Sequence, residues 1–206
     1  MRRESSTVVV LVGEVDEGLL AGLGHSGNVS LARASAPAAG PPAAQGAPAA
    51  RPGWEPGALA MREAARLRST YVIVTVDPLA EVAAAWRAMW DVAGGAQSPA
   101  GFEECAAETL AAWGDKLFEL PDYYLVMAGA EPGGTGPDLY LGPLRAARPR
   151  RVAVAGLAGR PGQAAGLLDT LRSLEHGPWW PPLDELIDAV RRFYAGGLAE
   201  TQPAPA

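Results

Sequence analysis

Cysteine, histidine and lysine are nearly missing from this chain, and each shortage removes a class of chemistry. Cys105 is the single cysteine of 206 residues, so no intrachain disulfide forms and no cysteine-rich zinc site can be built. His25 and His176 are the two histidines, which leaves few conventional ligands for a transition metal. His25 has Ser26 beside it, but adjacent residues seldom form a serine–histidine dyad, and no G-x-S-x-G elbow occurs. Lys116 is the only lysine. Long apolar runs are absent as well. The stretch after the opening "MRR" covers only Val8 to Val12, too short for a secretory signal, and nothing approaches the roughly 20 apolar residues of a membrane-spanning helix. A cytoplasmic protein without a membrane partner is expected. Positive charge is also in deficit, with 17 Lys and Arg against 23 Asp and Glu and a formal net charge of -6. No basic stripe is present, so nucleic acid is not an expected partner. The densest basic spot, "RPRR" at 148–151, directly precedes an apolar run and reads as a solvated turn entering a strand.

What remains is a globular composition, 49% hydrophobic and 19% charged, of a size suited to one domain. Alanine is everywhere, with 25 glycines and 19 prolines, so a single glycine or proline carries less information than usual. Four continuously apolar runs read as buried strands: "TVVVLVG" (7–13), "TYVIVTV" (70–76), "DYYLVMAG" (122–129) and "RRVAVAG" (150–156). A weaker fifth, "NVSLARA" (28–34), alternates and resembles an edge or half-exposed strand. Helical patterns fall between them, at 16–24, 56–68, 77–91, 98–121, 142–150, 160–175 and 181–197. Strands alternating with helices predict a three-layer α/β domain with a doubly wound, mostly parallel sheet of about five strands. Residues 1–35 form its first strand–helix–strand part. An Ala/Pro/Gly-rich stretch at 36–53 reads as a flexible loop. Residues 54–197 complete the domain with a helical excursion at 77–121, and 198–206 read as a disordered tail.

In open parallel sheets ligands bind beyond the carboxyl ends of the strands. Four acids fall there, Glu14, Asp16, Asp77 and Glu131, and form the candidate ligand or metal pocket. No cofactor is expected, and Mg²⁺ is the ion that such oxygens would hold if they converged. Local structure explains the same acids. Asp16 and Glu17 suit the first turn of a helix, and Asp77 followed by Pro78 suits a helix start.

The acids at 14–17 with Asp77 resemble the receiver domain of response regulators. That resemblance implies an acidic pair after the first strand, matched by Glu14 or Asp16, and a phosphoacceptor aspartate ending the third, matched by Asp77. The closing "PPLDELIDAVRRFY" is similar to the last receiver helix. The receiver lysine ending the fifth strand has no counterpart in "VAVAGLAGR", and Ala128 or Gly129 stands where its hydroxyl residue is expected.

Gly129 and Gly134 have the spacing of a phosphate loop, but Thr135 and Gly136 occupy the lysine and Ser/Thr positions. Gly133, Gly134, Thr135 and Arg160 are therefore a candidate anion-binding loop of generic kind, open to a small anionic ligand. Cys105 lies on an apolar helical stripe and reads as packed. Trp179 and Trp180 are adjacent and flanked by prolines, so both rings cannot easily be buried on one face. They are the candidate partner contact. The expected function is a non-catalytic regulatory or protein-interaction module lacking a complete phosphorylation site. The competing class is a small-molecule or nucleotide-phosphate enzyme using the strand-end acids and glycine-rich loops.

Overall fold

The runs rich in valine and tyrosine form five strands, β1 Thr7–Val12, β2 Val29–Ala32, β3 Tyr71–Val74, β4 Tyr123–Met127 and β5 Val152–Ala155. They belong to a computed structural model that describes residues 6–32, 52–90, 100–127, 138–156, 163–175 and 177–201. Every pairing is parallel, and the order across the sheet is β2-β3-β1-β4-β5. The expected three-layer, doubly wound architecture is therefore present. Its order places β3 between β2 and β1, whereas receiver domains run 2-1-3-4-5.

Burial explains which run went where. Val8, Val9, Val10 and Leu11 of β1 are all at most 3% exposed, as a central strand covered on both faces requires. Alternation sends Val8, Val10, Val72, Val74, Tyr124 and Val126 to one face and Val9, Leu11, Ile73, Leu125 and Met127 to the other. The alternating run became β2, an edge strand with two half-buried positions, as its pattern predicts.

The helices are α1 Glu17–Gly24, α2 Glu55–Ala64, α3 Ala80–Ala88, α4 Ala100–Gly114, α5 Arg145–Ala147, α6 Gln163–Arg172 and α7 Leu183–Thr201. A π-helical turn, Tyr140–Leu144, leads into α5, with Pro143 inside it and Leu144 N–H bonded to the Leu139 carbonyl. Leu19 and Leu23 of α1 and Leu167 and Leu171 of α6 cover one face of the sheet. The other face carries the larger core, from α2, α3, α4, the π-helical turn and α7. There Trp86 of α3 sits edge-on to Trp90, Phe102 and Tyr194 at centroid distances of 5.7, 6.0 and 6.1 Å. Cys105 is partly buried beside this core, and burial raises its thiol pKa. It is a packed side chain, as its stripe predicts.

Two boundaries differ from expectation. The helix predicted to start at Asp77 starts at Ala80, with Leu79 as its cap. The last helix runs through Gly196 to Thr201, so residues 198–201 belong to it and not to the tail expected at 198–206. A glycine inside a helix costs only about 1 kcal/mol relative to alanine, too little to end one whose residues from Leu183 to Tyr194 pack against the core.

Gly57 of α2 fixes the approach of that helix to the end of β3. A β-carbon there would lie 2.2 Å from the Pro78 nitrogen and 2.4 Å from the Asp77 carbonyl carbon. Those are backbone atoms and cannot rotate away. Gly57→Ala is expected to destabilise the fold at or above the top of the about 1–3 kcal/mol range of overpacked substitutions, measured by chemical denaturation. A loss below about 0.5 kcal/mol would mean that α2 is not seated against Asp77 and Pro78.

Candidate functional site

The sheet offers two edges, and the acids expected at the carboxyl edge take up very different positions. After β1 the chain turns at Gly13, whose φ of 107° lies in the region that glycine tolerates without strain. Asp16 then caps α1, its Oδ1 accepting the Leu19 N–H at 2.7 Å, as a helix start predicts. A β-carbon on Gly18 would lie 3.1 Å from that oxygen, so the carboxylate lies across the start of the helix. Glu14 is exposed beside it.

This turn also carries a phosphate-loop spacing of glycines. Gly13 and Gly18 also have four residues between them in "GEVDEGLL", and here the loop does join a strand to a helix. The lysine and Ser/Thr positions of a phosphate loop are Leu19 and Leu20, 4% and 9% exposed. Where phosphate would meet helix amides and a cation, this chain places the Asp16 carboxylate and buried leucines. Three acids in four positions repel an anion from the same spot.

Asp77, beyond the end of β3, is buried at 6% exposure. Its Oδ1 accepts the Tyr124 hydroxyl at 3.1 Å, and its Oδ2 accepts the Tyr140 hydroxyl at 2.7 Å. The Leu79 backbone N–H is a third donor. Burial outweighs these donors and lifts the carboxyl from 3.8 to about 6, and the same burial with the adjacent carboxylate pushes both phenols well above their usual range. The two tyrosine rings are 5.1 Å apart, which joins β3, β4 and the π-helical turn through one carboxylate. Asp77 does accept the N–H two residues on, as a helix-start aspartate would, but it does so from inside the core. It is an internal tie with both oxygens engaged.

At the amino edge of β4 and β5 the tryptophan pair divides. Trp180 points inward, its indole N–H donating to the Pro121 carbonyl at 2.9 Å and its ring 5.6 Å from Tyr124 in an edge contact. Trp179 is 50% exposed. Its ring lies 4.3 Å from the guanidinium carbon of Arg151, which is also 4.8 Å from the Tyr123 ring. Arg151 is only 3% exposed, so the basic spot expected to be a solvated turn contributes a buried cation. Its guanidinium donates to the carbonyls of Gly177 at 2.7 Å, Pro178 at 3.1 Å and Asp122 at 3.3 Å. Arg148 holds the same loop from outside, Nε to the Trp179 carbonyl at 2.8 Å. The preceding Gly177 fits because it has no side chain, since a β-carbon there would come within 2.9 Å of the Arg150 stem.

Sequence reasoning missed Tyr124, Tyr140 and Arg151. Tyr124 was findable, because alternation along "DYYLVMAG" sends it to the same face as Val126. Glu131, Gly133, Gly134, Thr135 and Arg160 lie outside the described residues, as does His176. Among the described residues no three of His, Cys, Asp and Glu come together as ion ligands, and none of the helices is long and apolar enough to cross a membrane. No family model, curated protein or solved structure matches this chain.

Proposed function

We propose that the protein is a non-catalytic regulatory or protein-interaction module of the cytoplasm, and that its contact surface is the loop carrying Trp179. The observation that supports this reading is a large, half-exposed indole held in place by a buried guanidinium and a backbone tether. An exposed tryptophan held in one position loses little side-chain freedom on binding, which suits it to a contact hot spot. The competing enzyme reading draws on Glu14, Asp16, Asp77 and Glu131. The hydrogen bonds that Asp16 and Asp77 already make within the fold weigh against it.

Affinity capture from lysate with wild type, Trp179→Ala and an exposed control, Arg172→Ala, tests the proposal. The expected result is a partner retained by wild type and by the control and lost at least about tenfold with Trp179→Ala. The same variant should unfold within about 1 kcal/mol of wild type, because it gives up an exposed ring stacked on a cation. Equal recovery by wild type and Trp179→Ala would remove the loop from the account. Trp180 is the wrong residue for this test, since its inward ring and hydrogen bond tie it to stability.

A further inference from the structure

Three arginines lie within four residues of a chain whose net charge is -6, and all three meet the Trp179 loop. Arg151 lies beneath the ring, Arg148 bonds its carbonyl, and the Arg150 stem packs against Gly177. Between them is a recess of about 170 Å³ lined by Arg148, Pro149, Arg150, Arg151 and Pro178. A volume of that size accepts one apolar side chain. Its walls are proline rings and arginine stems, which offer apolar surface below charged heads. Arg150 pairs with Glu175 at 3.1 Å, and both side chains are more than 60% exposed. A pair that open to water is worth little and exchanges readily for another carboxylate.

We infer that this edge binds an acidic peptide segment, its carboxylates meeting Arg148 and Arg150 and one apolar side chain entering the recess beside Trp179. The inference rests on the contact reading above and names the chemistry of the partner. Charge complementarity selects the occupant. A basic segment would face the arginines. A long polyanion such as RNA draws its affinity from many phosphate contacts, and this edge carries three arginines, of which Arg151 is buried and Arg148 already bonds the Trp179 and Ala147 carbonyls.

The test is fluorescence anisotropy with three labelled probes. One is a ten-residue peptide of glutamates interrupted by two leucines, the second replaces its glutamates with lysine, and the third is a ten-nucleotide single-stranded RNA. The acidic peptide is expected to bind best and to weaken as salt is raised. Arg148→Glu combined with Arg150→Glu should weaken it at least about tenfold, and Trp179→Ala similarly. Circular dichroism checks that both variants are folded, and Arg150→Gln alone gives an intermediate loss if the double variant is not. Failure of the acidic peptide to bind, equal binding of the lysine peptide, or preference for RNA would overturn the inference. If lysate capture still depends on Trp179 in any of those cases, the contact reading stands and only the acidic class falls.

Discussion

Asp77→Asn is expected to remove a loss of stability of about 3 kcal/mol that the wild-type protein suffers as pH rises from about 4 to 7. The carboxyl is lifted from 3.8 to about 6 in the fold, chiefly by burial. Between those values the folded state holds a proton that the unfolded chain has released. The favourable contribution is thus fully present below pH 3.8 and is lost as pH rises through 6. At about 1.36 kcal/mol for each pH unit between the two values, the loss comes to about 3 kcal/mol. The surroundings do not reverse this sign. The groups facing Asp77 from β4 and the π-helical turn are Tyr124 and Tyr140, α2 presents Gly57, and Arg87 of α3 lies 3.9 Å from Asp138 in a partly exposed pair. Asparagine is neutral at every pH and keeps the shape, so the variant should gain on wild type by urea denaturation as pH rises. Parallel stability curves for the two proteins would show that Asp77 is not titrating inside the fold. Tyr140→Phe should have the opposite effect and lower stability at pH 7 by about 1.5–3 kcal/mol, the worth of a hydrogen bond to a charged acceptor.

Arg151→Met should be the most damaging substitution at the other edge, since each buried carbonyl left without its donor costs about 1–3 kcal/mol. Methionine fills the volume but leaves the carbonyls of Asp122, Gly177 and Pro178 without the donor that now serves all three. Trp179 loses its platform in the same step, so partner capture should fail even where the variant still folds. Arg151→Lys should recover only part of the loss, because one ammonium cannot reproduce a planar fork between two rings. Thermal unfolding measures the cost. A change under about 1 kcal/mol would contradict the burial and hydrogen bonding assigned to this residue.

The strands and the layers were legible in the sequence because burial on both faces leaves continuous apolar runs, and "TVVVLVG" can be little else, although "RRVAVAG", expected to be buried, forms the edge strand β5 with Val154 44% exposed. The weak alternation of "NVSLARA" even identified an edge. Strand order was not legible, since β3 pairs with β1 through backbone hydrogen bonds that carry no side-chain signature. Site chemistry was legible only where it is local. Asp16 caps the helix that follows it, and sequence distance is enough to see that. Asp77 was misjudged because its partners stand 47 and 63 residues away, and no local rule distinguishes an Asp-Pro cap from a buried carboxylate. Arg151 was misjudged for a similar reason, its carbonyl acceptors lying up to 29 residues from it. The tryptophan pair was read correctly as unable to share one face, although nothing local tells which ring turns inward.

The central proposal is that contact chemistry sits at the amino edge of β4 and β5, while Asp16 and Asp77 of the carboxyl edge are engaged within the fold. Backbone and indole NMR shifts of the labelled protein, titrated with the partner recovered by capture, test it most directly. The largest changes are expected on residues 148–151 and 177–180 and on the Trp179 indole N–H. Changes centred instead on Gly13 to Leu20 and on Asp77 would contradict it and return the function to the carboxyl edge.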